Sequence, residues 1–101
     1  MWQANIILQN GQLMPYAEAK VHPMTLGMTY ATALFEGLRA YRNPVTGEFK
    51  IFRLAEHLKR LQAGMKVMRF DHVFDPEKIR QELAGLIRAH EPDDDVYIRL
   101  L

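Results

Sequence analysis

Short apolar runs separated by turn signals divide the chain into strand-like and helix-like segments. Four segments have the branched, apolar composition of strands: residues 2–8, 32–41, 48–52 and 96–101. After the first of these, Asn10-Gly11 is a strong turn signal and predicts that residues 12–14 return antiparallel as a hairpin. The turn residues at 43–47 predict that the second and third strands are partners.

Two other segments repeat their apolar residues at the spacing of helices. The first has an apolar stripe at intervals of four and three residues: Leu54, Leu58, Leu61, Met65 and Met68. The second is predicted to begin with Asp75 as N-cap and Pro76 at the first helical position, and to end at residues 90–92. Strands followed by two helices and a strand predict an α+β fold, with an antiparallel or mixed sheet that carries both helices on one face.

Composition and charge restrict the classes of protein that fit this chain. Its 101 residues, 49% hydrophobic and 25% charged, favour one globular domain over residues 1–101. The net charge is +1, with acids and bases interspersed, so we expect no nucleic-acid surface. No apolar run reaches the roughly 20 residues that span a bilayer. The N-terminus lacks the pattern of a secretory leader and the chain lacks cysteine, so we expect a cytoplasmic protein without a membrane partner.

Polar side chains within the predicted elements are the candidates for a binding site. Arg60 lies beside the apolar stripe of the first helix, where its planar guanidinium suits a phosphate. Spacing alone favours a solvated arginine paired with Glu56 instead. Alternation along the last strand places Tyr97 and Arg99 on one face, either as a carboxylate receptor or as a polar outer face. The four histidines are too scattered to predict a metal site.

The same alternation gives the strand at residues 32–41 two different faces. Phe35, Gly37 and Arg39 share one face, and Glu36 lies on the other face with its apolar neighbours. A glycine inside a strand lets another group approach the backbone closely, although a bulge or a bend of the sheet also explains it.

Three segments together resemble the fold-type IV aminotransferases, which use pyridoxal phosphate. They are Phe-Glu-Gly-Leu-Arg-Ala-Tyr at residues 35–41, the strand-to-helix join with Glu-His-x-x-Arg-Leu at residues 52–61, and Tyr-Ile-Arg at residues 97–99. Within this group the chain is most similar to the branched-chain amino-acid aminotransferases, and the similarity extends from Trp2 to Arg99. It implies that residues 1–101 form the small N-terminal domain of such an enzyme.

The resemblance implies roles for the cationic residues. Arg60 would contact the cofactor phosphate, and Tyr97 and Arg99 would help to receive the substrate carboxylates. The chain departs from the family at Leu100, where a proline usually follows the arginine.

The resemblance also implies the walls of a substrate pocket. Phe35 and Gly37 would line its apolar part, while Arg39 lies in the same motif as a further substrate-binding residue or as a salt-bridge residue. Tyr30 would reach the pocket of the neighbouring subunit in a homodimer or higher homo-oligomer. The loop around Tyr30 departs from the family, since it lacks the usual histidines and the glycine after the tyrosine.

An intact enzyme of this kind moves an amino group between leucine, isoleucine or valine and 2-oxoglutarate. In the family, the lysine that carries the cofactor comes from a second domain. This chain has five lysines, none at the matching position: Lys20, Lys50, Lys59, Lys66 and Lys78. We therefore expect no catalytic residue in the chain, and no activity from its 101 residues alone.

Two alternatives fit the same sequence. One is another fold-type IV enzyme, a D-amino-acid transaminase or an aminodeoxychorismate lyase. The other is an α+β binding module without chemistry, which agrees with the small size and with the absence of a recognisable nucleophile.

Overall fold

The computed structural model describes residues 4–101, which form two small antiparallel sheets and three α-helices. In chain order the elements are β1 Ile6–Gln9, β2 Gln12–Pro15, α1 Leu26–Tyr30, β3 Glu36–Arg42, β4 Phe49–Ile51, α2 Leu54–Val67, α3 Pro76–His90 and β5 Val96–Leu100, with a 3₁₀ turn at Tyr16–Glu18. The predicted α+β class is confirmed. Within these residues no helix is long and apolar enough to cross a membrane.

The predicted hairpin is present as β1 and β2. Ile7 lies opposite Met14 in the antiparallel ladder. Asn10 and Gly11 both have positive φ values, 52° and 78°, as a tight two-residue hairpin turn requires. The predicted strand started at Trp2, which lies outside the described residues.

The larger sheet has the strand order β4-β3-β5, so β3 is its central strand. Its register pairs Leu38 with Ile98 and Ala40 with Ile51. The core joins one face of this sheet to α3 through Leu38, Ala40, Leu83, Ile87 and Ile98. The second long helix, α2, lies on the same face and contacts β3 through Glu36. The prediction of two helices on one face is confirmed.

The central strand begins later than predicted. It starts at Glu36 instead of at residue 32, because its partner β5 extends only to Leu100, which pairs with Glu36. The preceding residues leave the unpredicted helix α1 through Ala31, whose φ of 56° is left-handed. Thr32 then donates its N–H to the Leu26 carbonyl instead of to a strand.

The two long helices begin differently. At the start of α2, Arg53 has a left-handed φ of 52°, which turns the chain sharply out of β4. The start of α3 is as predicted: Pro76 is its first residue, and the Asp75 carboxylate accepts from the backbone N–H of Glu77 at 3.0 Å. These two starts fix α2 and α3 against one side of the sheet, and among residues 4–101 the side chains on its other side are largely exposed.

Candidate functional site

Five of the predicted site residues lie together on the side of the larger sheet that faces away from the helices. We call this surface the open face; it consists of Phe35, Gly37, Arg39, Tyr97 and Arg99. Strand pairing brings them together, since Gly37 pairs with Arg99 and Arg39 with Tyr97. Phe35 comes immediately before β3 and is 58% exposed. Phe35, Gly37 and Arg39 were predicted to share one face of their strand, as were Tyr97 and Arg99 of theirs, and the register of β3 and β5 puts both groups on the same face of the sheet.

Each arginine of the open face lies against an aromatic ring. The guanidinium carbon of Arg99 is 5.5 Å from the centre of the Phe35 ring, and that of Arg39 is 6.0 Å from the centre of the Tyr97 ring. These distances fall within the range of cation–π contacts. In the described part of the chain neither arginine forms an ion pair with an acid, so the salt-bridge role considered for Arg39 is not seen. Both guanidinium groups therefore keep N–H donors for an added anion.

Gly37 lets the Tyr97 ring lie across the central strand. A Cβ atom at position 37 would collide with the Tyr97 hydroxyl and stand 3.0 Å from the ring carbon that bears it. Real Cβ atoms rarely come this close to their neighbours. The glycine therefore leaves the space that the tyrosine ring occupies, and the bulge considered for this position is not needed to explain the glycine.

The opposite, helix-covered side of β3 contains a charged cluster. Glu36 is only 4% exposed although its side chain is charged, and it lies on the same side of β3 as the core residues Leu38 and Ala40. Its carboxylate accepts from Arg60 twice, Nε to Oε1 at 2.7 Å and Nη2 to Oε2 at 2.8 Å. Oε2 also lies 2.8 Å from Nδ1 of His57, one turn earlier on α2. The pairing of Arg60 with Glu56 that spacing favours is therefore wrong, because Arg60 is engaged by Glu36.

These contacts keep the Glu36 carboxylate ionised. The hydrogen bonds from Arg60 are the main cause that lowers the pKa of Glu36; burial opposes them and the contact with His57 adds to them. The pKa falls from an ordinary 4.5 to about 2. The same pair raises the pKa of Arg60, so the two side chains remain oppositely charged at neutral pH.

Arg60 has the free donors that a phosphate needs. A guanidinium carries five N–H donors, and Glu36 occupies only Nε and one donor of Nη2. The side chain is 72% exposed, while that of Glu36 is 5% exposed. A fixed cation with an outward edge fits a phosphate ester, which prefers paired charge-assisted bonds. Arg60 therefore passes the test for a phosphate ligand, and its contact with Glu36 places it at the end of the sheet where β3 begins.

Tyr30 and the lysines belong to neither group and are exposed. Tyr30 is the last residue of α1 and is 73% exposed. All of the lysines are exposed as well: Lys20, Lys50, Lys59, Lys66 and Lys78. A lysine that carries pyridoxal phosphate is usually activated by burial or by a neighbouring cation. None of these five is buried in that way.

The prediction missed Glu36 and His57. A signal for Glu36 was present, because alternation already placed this acid on the apolar side of its strand. A buried carboxylate needs a partner, and Arg60 with His57, three residues apart on one helix, supplies it. Sequence alone does not reveal which helix would cross that end of the strand.

Comparison with known families and relatives gives consistent matches. A family model, amino-transferase class IV, matches residues 33–101. A probable branched-chain-amino-acid aminotransferase of Aquifex aeolicus (strain VF5) is 34% identical over 88% of this chain and 29% of its own length. The branched-chain-amino-acid aminotransferase of Salmonella typhimurium is 32% identical over 98% of this chain and 31% of its own length. The chain therefore spans less than a third of the curated relatives that it matches.

A solved structure agrees in fold over nearly the whole chain. The branched-chain amino acid aminotransferase from Thermobaculum terrenum, in its PLP-form (holo-form), has a TM-score of 0.81 and 37% identity. That match covers 94% of this chain and 31% of the solved one.

Proposed function

We propose that this chain, which belongs to the amino-transferase class IV family, is the N-terminal domain of a branched-chain-amino-acid transaminase. The full-length enzyme would transfer the amino group between leucine, isoleucine or valine and 2-oxoglutarate. The observation that carries this proposal is the open face, where two guanidinium groups lie on aromatic rings and no acid of the described chain neutralises them. The relatives from Aquifex aeolicus and Salmonella typhimurium, named as branched-chain-amino-acid aminotransferases, support the same activity.

The open face suits a substrate that is apolar at one end and anionic at the other. Arg99 offers a carboxylate the planar donor pair that it prefers, and the adjacent Phe35 ring offers apolar surface. A transaminase of this kind must accept a branched apolar side chain in one half of its cycle and an acidic one in the other. The contact between Arg99 and the Phe35 ring provides both surfaces. Tyr97 adds a hydroxyl group, and Arg39 beside it adds a second cation.

Pyridoxal phosphate is the proposed cofactor. Its support is the outward edge of Arg60, together with the related Thermobaculum terrenum structure, which was solved in its PLP-form. Arg60 would hold the cofactor phosphate, while Glu36 and His57 hold Arg60. When bound, the cofactor supplies the electron sink for breaking the bond to hydrogen at the amino-acid α-carbon. The residues of this chain contribute binding, orientation and charge.

The lysine that carries the cofactor is proposed to lie in a second domain that this chain does not include. The exposure of all five lysines of this chain supports the proposal that the cofactor-carrying lysine lies in that second domain. The 101-residue chain alone is accordingly proposed to be inactive, and the chemistry to need the full-length enzyme.

A homodimer in the cytoplasm is proposed for the full-length enzyme. Side chains in and next to α1 are strongly exposed although they are apolar: Met24, Leu26, Met28 and Tyr30. Such a surface favours association, and a second subunit is the proposed occupant. Tyr30 would then contribute to the pocket of the neighbouring subunit.

A panel of amino donors tests the proposal. The full-length enzyme with pyridoxal phosphate is assayed with 2-oxoglutarate and, in turn, L-leucine, L-isoleucine, L-valine and D-alanine. We expect glutamate to form with each of the three branched donors. Activity with D-alanine and none with L-leucine would overturn the proposal in favour of a D-amino-acid transaminase. No transamination with any donor would favour a lyase or a binding module.

A further inference from the structure

The fold buries a negative charge, that of Glu36, at a position where proteins normally have an apolar residue. Glu36 stands on the helix-covered side of β3, in line with Leu38 and Ala40, which are fully buried. Removing a carboxylate from water is costly unless hydrogen bonds replace its hydration. An apolar residue at position 36 would pack against the core without this desolvation cost. Packing alone therefore does not explain the carboxylate.

The contacts of Glu36 identify what it holds. Both of its oxygens accept from Arg60, in the two-point geometry that fixes a guanidinium plane. His57 approaches the same carboxylate from one turn earlier on α2. In the described residues no buried side-chain nitrogen or oxygen lacks a hydrogen-bond partner. The carboxylate is therefore anchored on one side by His57 and directs Arg60 on the other.

Exposure differs sharply between the two ends of the ion pair. The side chain of Glu36 is 5% exposed and that of Arg60 is 72% exposed. A long arginine this exposed would ordinarily sample many rotamers, and binding a ligand would require it to give up that freedom. A buried, two-point anchor removes much of that freedom before any ligand arrives.

We propose that Glu36 is a positioning residue: it presents the outward edge of Arg60, namely Nη1 and the remaining donor of Nη2, to the phosphate of the cofactor, with His57 holding Glu36 in place. This inference rests on the proposed function, in which Arg60 binds that phosphate. It goes further by assigning the specificity for a phosphorylated cofactor to a residue that does not touch the phosphate.

The charge of Glu36 acts in the opposite direction, and its effect is smaller. A carboxylate beside Arg60 offsets part of the positive charge that attracts a phosphate. The guanidinium is largely in water, where salt and solvent screen such effects strongly. Orientation acts at contact distance and is not screened in this way, so loss of the anchor outweighs the gain in net positive charge.

The test measures cofactor binding instead of turnover. The full-length apoenzyme is titrated with pyridoxal phosphate and, separately, with pyridoxal, which lacks the phosphate, and the two Kd values give a phosphate discrimination ratio. We expect Glu36→Gln to raise the Kd for pyridoxal phosphate roughly tenfold, by analogy with the lower range seen when the outer partner of a metal ligand is removed. The Kd for pyridoxal should stay close to the wild-type value. Glu36→Asp keeps the charge but shortens the reach, so it should also lower the ratio.

A matched control and a double variant separate positioning from general damage. Glu77→Gln breaks another glutamate–arginine pair, with Arg80 on α3, and should leave the ratio unchanged. In an Arg60→Ala background, Glu36→Gln should change the ratio no further, because Glu36 acts through Arg60. If the Glu36 variants do not fold, His57→Ala leaves the ion pair in place and should lower the ratio by a smaller factor.

The outcomes distinguish the two levels of the proposal. If Arg60→Ala lowers the ratio and the Glu36 and His57 variants match the wild type, the positioning role is wrong and the proposed function stands. If Glu36→Gln tightens binding of pyridoxal phosphate, charge outweighs orientation and the inference is overturned. An effect of Glu36→Gln that persists without Arg60 would make Glu36 merely structural. If Arg60→Ala leaves the ratio unchanged, Arg60 does not bind the phosphate, and the role that the proposed function gives to Arg60 fails together with this inference.

Discussion

The ring of Tyr97 occupies the space in which a side chain at position 37 would stand. Gly37 leaves that space empty, since an added Cβ would lie 3.0 Å and 3.1 Å from two carbons of the ring. The two residues lie on neighbouring strands and are offset from each other in the ladder, because Tyr97 pairs with Arg39 and Gly37 pairs with Arg99. The contact thus joins the residue that pairs with Arg99 to the residue that pairs with Arg39.

Gly37→Ala should impair substrate binding more than stability. Tyr97 is 53% exposed, so its side chain can move away from an added methyl group without disturbing the core. We expect the KM of the full-length enzyme for 2-oxoglutarate to rise about tenfold, which corresponds to about 1.4 kcal/mol. The thermal midpoint should change little.

The matched control for this change is Gly85→Ala in α3. A Cβ there meets only the Arg88 guanidinium, at an ordinary 3.9 Å, and a helix interior favours alanine over glycine by roughly 0.5–1 kcal/mol. It should raise the thermal midpoint and leave KM unchanged. Equal KM values for the two variants would show that the Tyr97 position does not matter for binding.

Asp75→Ala should destabilise the fold through α3. Its carboxylate accepts from the backbone N–H of Glu77, which otherwise has no partner within the helix, and loss of such a cap costs about 1 kcal/mol. Urea unfolding of the full-length apoprotein measures the change. Asp71→Ala, at an exposed position between the helices, is the control and should cost much less. Equal costs would mean that the cap contributes nothing.

The Glu36 anchor should make stability depend on acid pH. Its pKa is about 2 in the folded chain against an ordinary 4.5, so the unfolded chain takes up the proton first as pH falls. The stabilisation is therefore complete above about pH 4.5 and is lost as the pH falls towards 2. We expect Glu36→Gln to be less stable than the wild type at neutral pH, with a difference that shrinks across this window. Urea midpoints measured at a series of pH values give that difference.

Glu77 provides the comparison for the acid measurement. Its pKa is also about 2, chiefly through hydrogen bonds from Arg80, but the pair lies in solvent on the surface of α3. Exposed ion pairs stabilise proteins little, so Glu77→Gln should show a small difference at every pH. A loss for Glu36→Gln that is independent of pH would contradict the ionised state of Glu36.

The sequence predicted those features that depend on local pattern. Alternation correctly separated Phe35, Gly37 and Arg39 from Glu36, because successive residues of a strand point to opposite sides. The α3 cap was also correct, since Asp75 and Pro76 act within one turn. The family resemblance is confirmed by the match of the class IV model to residues 33–101.

Features that depend on long-range contacts could not be read in the same way. The start of β3 is set by where β5 ends, far along the chain at Leu100, so the apolar run from residue 32 gave the wrong boundary. Arg60 found its partner in Glu36, 24 residues away, instead of in Glu56 on its own helix. Such choices depend on how α2 crosses the sheet, which the local pattern does not specify.

The central claim is that the open face receives the substrate carboxylate, and the KM for 2-oxoglutarate tests it most directly. The measurement compares the full-length enzyme with Arg99→Gln and with Arg88→Gln, an exposed arginine on α3 as control. Loss of a charge-assisted bond to the carboxylate should raise KM roughly tenfold to a hundredfold in Arg99→Gln, while Arg88→Gln should match the wild type. A KM unchanged in Arg99→Gln would contradict the claim and place the carboxylate elsewhere.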